Sequence, residues 1–199
     1  MVDAVLASSL LERETRPGAP GVLAREAWLL PFQPPPRPRT LRARLRLEGH
    51  RLAIRYVLEG ELEDLVLPLA EDTPRRLDGL WQATCFEAFL ATPGSAGYHE
   101  FNMALEGHWA AYAFNAPRQG MRHETALCTL STKHHRVTGH LGFRVALELN
   151  RLALDPAQGL ELGISAILQR QDGTREFWAL SHPSESPDFH CRSCFLLKL

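Results

Sequence analysis

Thr40-Leu41-Arg42-Ala43-Arg44-Leu45-Arg46-Leu47-Glu48-Gly49-His50-Arg51-Leu52-Ala53-Ile54-Arg55-Tyr56-Val57-Leu58 decides the fold class. Leu41, Ala43, Leu45 and Leu47 alternate with Arg42, Arg44 and Arg46, and beyond Gly49-His50 the apolar set Leu52, Ile54, Tyr56 and Leu58 alternates again. A period of two is the mark of a strand with one buried face. A two-residue turn at Gly49-His50 pairs Arg46 with Ala53 and Arg44 with Arg55, which puts both apolar sets on one side of a hairpin. The arginine-bearing side invites a nucleic-acid reading. Yet no aromatic ring interleaves with these arginines, and Glu59, Glu61, Glu63 and Asp64 follow at once, so the face reads as a solvated sheet surface.

Downstream, strand follows strand: 84–90, 98–105, 108–114, 140–149, 160–169, 176–180 and 189–197 are short, β-branched, aromatic or alternating, with Gly, Pro, Asn or Asp between them. Glu106-Gly107 and Asp172-Gly173 read as tight turns. Helical turns are expected at most at 150–154 and 64–69, and His123, His134 and His135 read as loop residues. Many short strands without intervening helices predict an all-β fold, an antiparallel β-sandwich. Leu41, Leu45, Ile54, Tyr56, Phe143, Val145 and Leu147 should point into its core. Upstream, Pro31, Pro34, Pro35, Pro36 and Pro38 favour a stiff polyproline lead-in over a packed element. Residues 1–22 read as a weakly ordered tail, and 23–199 as the domain.

Length and composition fit that reading. The chain has 199 residues with 45% hydrophobic and 23% charged, which excludes wholesale disorder and fibrous repeats. With 22 basic against 23 acidic residues there is no net field to gather nucleic acid or an anionic membrane, so neither is an expected partner. The absence of a long apolar run predicts a soluble, cytoplasmic protein with reduced thiols.

Signatures of serine hydrolases, P-loop enzymes, Rossmann enzymes and zincins are all missing. Glu87 and Glu100 could form the acid and base of a glycosidase, but in alternating strands both read as structural. Cys191-x-x-Cys194 with His182 and His190 supplies enough ligands for zinc. If 189–197 is a strand, however, Cys191 and Cys194 point to opposite faces, and no helix N-terminus is at hand to activate a thiol. Both therefore read as inert.

The blocks Leu80 to Leu90 (LWQATCFEAFL), Tyr98 to Asn102 (YHEFN), Gly107 to Phe114 (GHWAAYAF), Arg118 to Met121, Phe177 to Pro183 (FWALSHP) and Pro187 to His190 (PDFH) occur in this order. Together they resemble the bacterial DOMON-like proteins, relatives of the family 9 carbohydrate-binding modules, over about residues 23 to 199. The resemblance implies a β-sandwich with a pocket or sheet face that takes sugars in some relatives and haem in others.

Sugar recognition needs aromatic planes for C–H faces and planar polar groups for hydroxyls. Trp81, Trp109, Tyr112 and Trp178 offer the first; Glu87, Glu100, Asn102 and Arg118 offer the second, and His182, Asp188 and His190 add the C-terminal turn. Tyr98, Glu100 and Asn102 share one face of their strand. Arg118 is expected beside Glu100, and Asp188 at a corner where its carboxylate accepts backbone N–H groups. The expected function is a non-catalytic module that binds a carbohydrate or similar polar small molecule. The alternatives are haem, for which Met103, Met121, His182 and His190 are eligible axial ligands, and an enzyme acting on a sugar-like substrate.

Overall fold

The computed structural model describes residues 21–199; most of the expected N-terminal tail, residues 1–20, lies outside the described residues. Twelve strands follow one another: β1 Val22–Pro31, β2 Arg39–Glu48, β3 Arg51–Gly60, β4 Cys85–Ala91, β5 Tyr98–Ala104, β6 Trp109–Phe114, β7 Arg122–His123, β8 Thr132–Val137, β9 His140–Glu148, β10 Glu161–Gln169, β11 Arg175–Ala179 and β12 Leu197–Lys198. The helical pieces among the described residues are 3-10 turns at Leu80–Gln82, Leu149–Leu152, Pro156–Gln158 and Arg192–Cys194. Hydrogen bonding runs continuously in the order β7-β6-β5-β4-β10-β11-β1-β2-β3-β9-β8, with β12 also on β10. Every pairing is antiparallel.

The continuous sheet curls so that two layers face each other, as in a β-sandwich. Strands β1, β2, β3, β9 and β8 make the first layer, and β11, β10, β4, β5, β6 and β7 the second. Strand β1 serves both: Leu23 to Leu29 pair with β2, then Leu30 and Pro31 pair with Ala179 and Trp178 of β11. The β2–β3 hairpin has the register that its alternation predicts, Arg46 opposite Ala53 and Arg44 opposite Arg55. Leu41, Leu45, Ile54, Tyr56, Phe143, Val145 and Leu147 are all in the core. Between the layers, Phe86 of β4 stacks on Phe143 of β9 at 4.6 Å, and the Tyr56 hydroxyl donates to the Glu87 carbonyl at 2.7 Å. Sheet is thus joined to sheet by apolar burial and by one satisfied polar group.

The outer arginine face of the first layer is laced with ion pairs, Arg44–Glu26 at 2.6 Å, Arg51–Glu148 at 3.0 Å and Arg42–Glu59 at 3.3 Å. Such exposed pairs contribute at most about 1 kcal/mol each.

Three expectations need correction. The proline-rich lead-in begins as strand β1, because its side chains at 23, 27 and 29 continue the apolar set of β2. His123, His134 and His135 lie in strands β7 and β8 rather than in loops. Residues 189–197 are not a strand; they form an irregular strap with a 3-10 turn, and pairing resumes only at Leu197.

The second layer differs from the first. Strands β4 and β6 are buried at every position, and β5 at all but His99. Phe86, Ala88, Leu90, Phe101, Met103, Trp109 and Ala111 face the first layer, while Phe89, Tyr98, Ala110, Tyr112 and Phe114 form a separate apolar cluster on the far side with Phe195. A cover must therefore lie over that far side. It consists of the 3-10 turn at Leu80–Gln82 and the C-terminal strap, whose Phe195 ring occupies the space above Gly163. A Cβ at Gly163 would meet that ring at 2.8 Å. Gly163→Ala should overpack the contact and cost about 1–3 kcal/mol. At 2–4 °C per kcal/mol this lowers the thermal midpoint by roughly 2–12 °C with an unchanged β-sheet circular-dichroism spectrum. A shift below about 1 °C would show that the strap does not sit there.

Candidate functional site

The cover does not close. Between it and the far side of the second layer lies a cleft of about 410 Å³ walled by the rings of Trp81, Phe89, Phe114, Phe177 and Phe189, with Glu87, Glu100, Arg118 and His190 as its charged or polar groups. Strand register builds the floor. Ser165, Glu87 and Asn102 stand side by side across β10, β4 and β5, and Phe89, Glu100 and Tyr112 form the adjoining row.

Each floor carboxyl is held by a neighbour. Ser165 donates to Glu87 at 3.0 Å, and the Asn102 amide donates to Glu100 Oε1 at 2.8 Å. Burial lifts Glu87 to about 8, with the nearby Glu100 charge adding to the rise. Burial also lifts Glu100 to about 7, against the pull of Asn102 and Arg118.

His190 stands opposite. Tyr98 accepts the Arg118 backbone N–H at 3.2 Å, and its hydroxyl lies 2.7 Å from His190 Nδ1. Among the described residues Nδ1 is the one acceptor bonded by the Tyr98 hydroxyl, so the hydroxyl proton goes to Nδ1, and this pattern assigns the ring proton to Nε2. Burial, reinforced by the Arg118 charge, lowers the imidazole to about 4, so the ring is neutral at physiological pH. Its Nε2 faces Glu100 Oε2 at 3.9 Å, too far for a direct hydrogen bond.

Arg118 is a non-glycine residue in left-handed backbone, with φ 56°. That conformation is disfavoured for a residue with a Cβ, and the loop maintains it through the Asn115 N–H to Gln119 carbonyl bond at 3.0 Å. Its guanidinium, largely exposed, reaches Asp188 at 2.8 Å rather than Glu100. Asp188 also accepts the His190 N–H at 3.1 Å, the corner bond expected of it.

Of the ten expected site residues, Trp81, Glu87, Glu100, Arg118 and His190 line the cleft. Asp188 fastens the strap beside it. Asn102 and Tyr112 are buried beneath: Asn102 orients Glu100, and Tyr112 lies edge-on to Trp81 at 6.1 Å while bonding Asp78 at 2.6 Å. The other two stand apart. Trp109 faces the opposite side of β6, in the core, with the Arg76 guanidinium 4.3 Å above its ring. His182 bonds the Leu30 carbonyl at 2.8 Å and packs on Phe32. Phe89, Phe114, Phe177 and Phe189 wall the cleft without having been expected there, although Phe89 shares the strand parity of Glu87, whereas Trp178 lies in the core and donates to Glu176 at 3.1 Å. A wider depression of about 790 Å³ borders the arginine face, but no aromatic ring lines it, so the aromatic cleft is the candidate.

Of the eligible haem ligands, Met103 is in the core and His182 is outside the cleft, while Met121 and His190 line it; the His190 nitrogen that faces the cleft, Nε2, has a Glu100 oxygen at 3.9 Å.

No protein-family model matches the chain, and no curated protein does. Its fold is similar to that of a candidate carbohydrate-binding protein from Bacteroides uniformis, at a TM-score of 0.60 and 13% identity over 83% of each chain. It is also similar to a family 9 carbohydrate-binding module from Caldicellulosiruptor kristjanssonii in complex with cellotriose, at a TM-score of 0.54 and 11% identity, covering 79% of this chain and 74% of that one. Both likenesses are of fold.

The raised carboxyls make stability depend on pH. Folded Glu87 and Glu100 retain protons that the unfolded chain releases near 4.5, so their contribution is complete below that pH and is lost as pH rises through about 7 to 8. His190 acts oppositely between about 4 and 6.5, but equally in any variant that keeps it. Glu87→Gln should therefore gain on the parent between pH 5 and pH 8 by about 2 kcal/mol or more, roughly 4–8 °C in thermal midpoint. Parallel melting curves across that range would place an ionised Glu87 in the folded protein.

Proposed function

We propose that this chain is a non-catalytic carbohydrate-binding module and that the aromatic cleft is its binding site. The observation that carries the reading is the 3.9 Å gap between His190 Nε2 and Glu100 Oε2. One side offers a proton and the other accepts one, and an oxygen about 2.8 Å from each fits between them. A sugar hydroxyl meets both demands with one atom. Trp81 is oriented by Tyr112 below it and supplies a plane for the apolar face of a pyranose. Glu87 offers a second polar contact deeper in the floor. Arg118 stands at the rim, where its fork suits a uronic acid or phosphosugar more than a neutral sugar.

The fold likeness to a module solved with cellotriose supports the same reading and suggests β-glucans as first probes. Membership among DOMON-like proteins, expected from the Trp81 to Met121 block, is part of this proposal, as is a cytoplasmic setting. Among the described residues no helix is long and apolar enough to cross a membrane. Trp109 and His182 have no part in the proposed site.

Calorimetric titration with glucose, cellobiose, cellotriose, uronic acids and phosphosugars tests this. At least one member should bind, and Trp81→Ala and His190→Ala, folded by circular dichroism, should each weaken it tenfold or more, about 1.4 kcal/mol. Arg118→Ala should weaken acidic sugars more than neutral ones. No heat with any sugar, or parental affinity in both cleft variants, would overturn the reading.

A further inference from the structure

The Cys191-x-x-Cys194 motif takes no part in the cleft, and the strand expected to point its two thiols to opposite faces is absent. Cys191 instead precedes the 3-10 turn Arg192–Cys194, and the Cys194 N–H donates to the Cys191 carbonyl at 2.9 Å. A turn closed by that bond brings its first and fourth Cα atoms within about 7 Å, the range that a disulfide spans.

Their surroundings differ in a useful way. Cys191 is half-buried and shares a proton with the Ser193 hydroxyl at 2.9 Å, which lowers its thiol below the ordinary range. Cys194 is buried at 4% exposure, and burial pushes it up to about 11. One sulfur is reachable and its thiol is lowered; the other waits behind it. Arg192 between them is pinned to Glu161 at 2.7 Å and to the Ser95 carbonyl at 3.2 Å, with its guanidinium over Phe195, so the turn is held closed. Among the described residues no third His, Cys, Asp or Glu joins the pair in a metal-holding group.

We propose that Cys191 and Cys194 form a reactive dithiol that small-molecule disulfides oxidise to a reversible intramolecular disulfide. Cys191 loses its proton to solvent and attacks one sulfur of the disulfide. The old S–S bond breaks, and the leaving thiolate takes up a proton. Cys194 then loses its proton and attacks the Cys191 sulfur of the mixed disulfide, expelling the second thiolate, which is protonated in turn. Two protein thiols are oxidised and one disulfide is reduced to two thiols. Because the ring closed is among the shortest possible, it removes little entropy from the unfolded chain, which suits a reversible couple better than a structural staple. The pair directly follows Asp188 and His190, so its state is written into the strap over the cleft. This holds whether or not the cleft binds sugar.

The full-length protein incubated with oxidised glutathione, alkylated and mapped by mass spectrometry decides the matter. The parent should lose two hydrogens, with a 191–194 crosslink that dithiothreitol reverses. Cys194→Ser should instead accumulate one glutathionyl group on Cys191, and Cys191→Ser should give neither crosslink nor adduct at Cys194. Cys194→Ala replaces Cys194→Ser if the serine variant loses its circular-dichroism spectrum. A parent in which Cys191 and Cys194 stay free while exposed Cys128 takes up glutathione, or a folded Cys194 variant without an adduct on Cys191, would overturn the proposal.

Discussion

Burial of the second layer on both faces is the constraint from which the rest of this molecule follows. A sheet that leaves one face to solvent needs a single apolar set; strands β4, β5 and β6 leave almost none of their side chains to water. Polar groups on their far side must then find partners within the protein. Ser165 and Asn102 satisfy Glu87 and Glu100, Tyr56 reaches through from the first layer to the Glu87 carbonyl, and Tyr98 joins the backbone of Arg118 to His190. The covering elements arrive from distant parts of the chain and fit imperfectly. Their misfit is the cleft.

Much of the fold was legible because alternation over residues 40–58 is strict and its turn has a defined length. Strand β1 was hidden by Pro31, a residue usually read as the end of pairing. Here Pro31 sits where the strand leaves β2 for β11, so its missing N–H falls at a change of partner. Strand β8 was hidden for another reason: at the edge of the sheet its side chains are mostly half-buried or exposed, and no apolar alternation remains to read. The strap shows the reverse error, since Phe189 and Phe195 pack against a sheet face without belonging to a strand.

Less of the site could be read, and parity explains which part. Glu100 and Asn102 share a face by spacing alone, and so do Glu87 and Phe89. Trp109 and Tyr112 are three apart on one strand, so they could never both face the cleft; the same rule that placed Glu100 excludes Trp109. Other features lie beyond spacing. The left-handed backbone of Arg118 and its choice of Asp188 over Glu100 depend on a loop whose path is set by contacts seventy residues away in sequence. His182 and His190 sit on one connection, yet only the second turns toward the floor.

Among the described residues the curled sheet does not close on itself, and its two ends differ. One end is β7, only two residues long. The other is β8, which presents six residues of open backbone with Lys133, His134, His135 and Arg136 among them. Exposed edges are where chains add to one another in register and build fibres, and natural proteins blunt them by shortness or by charge. This chain uses each device once. Protection against edge-to-edge pairing therefore rests on the two strands that contribute least to the core.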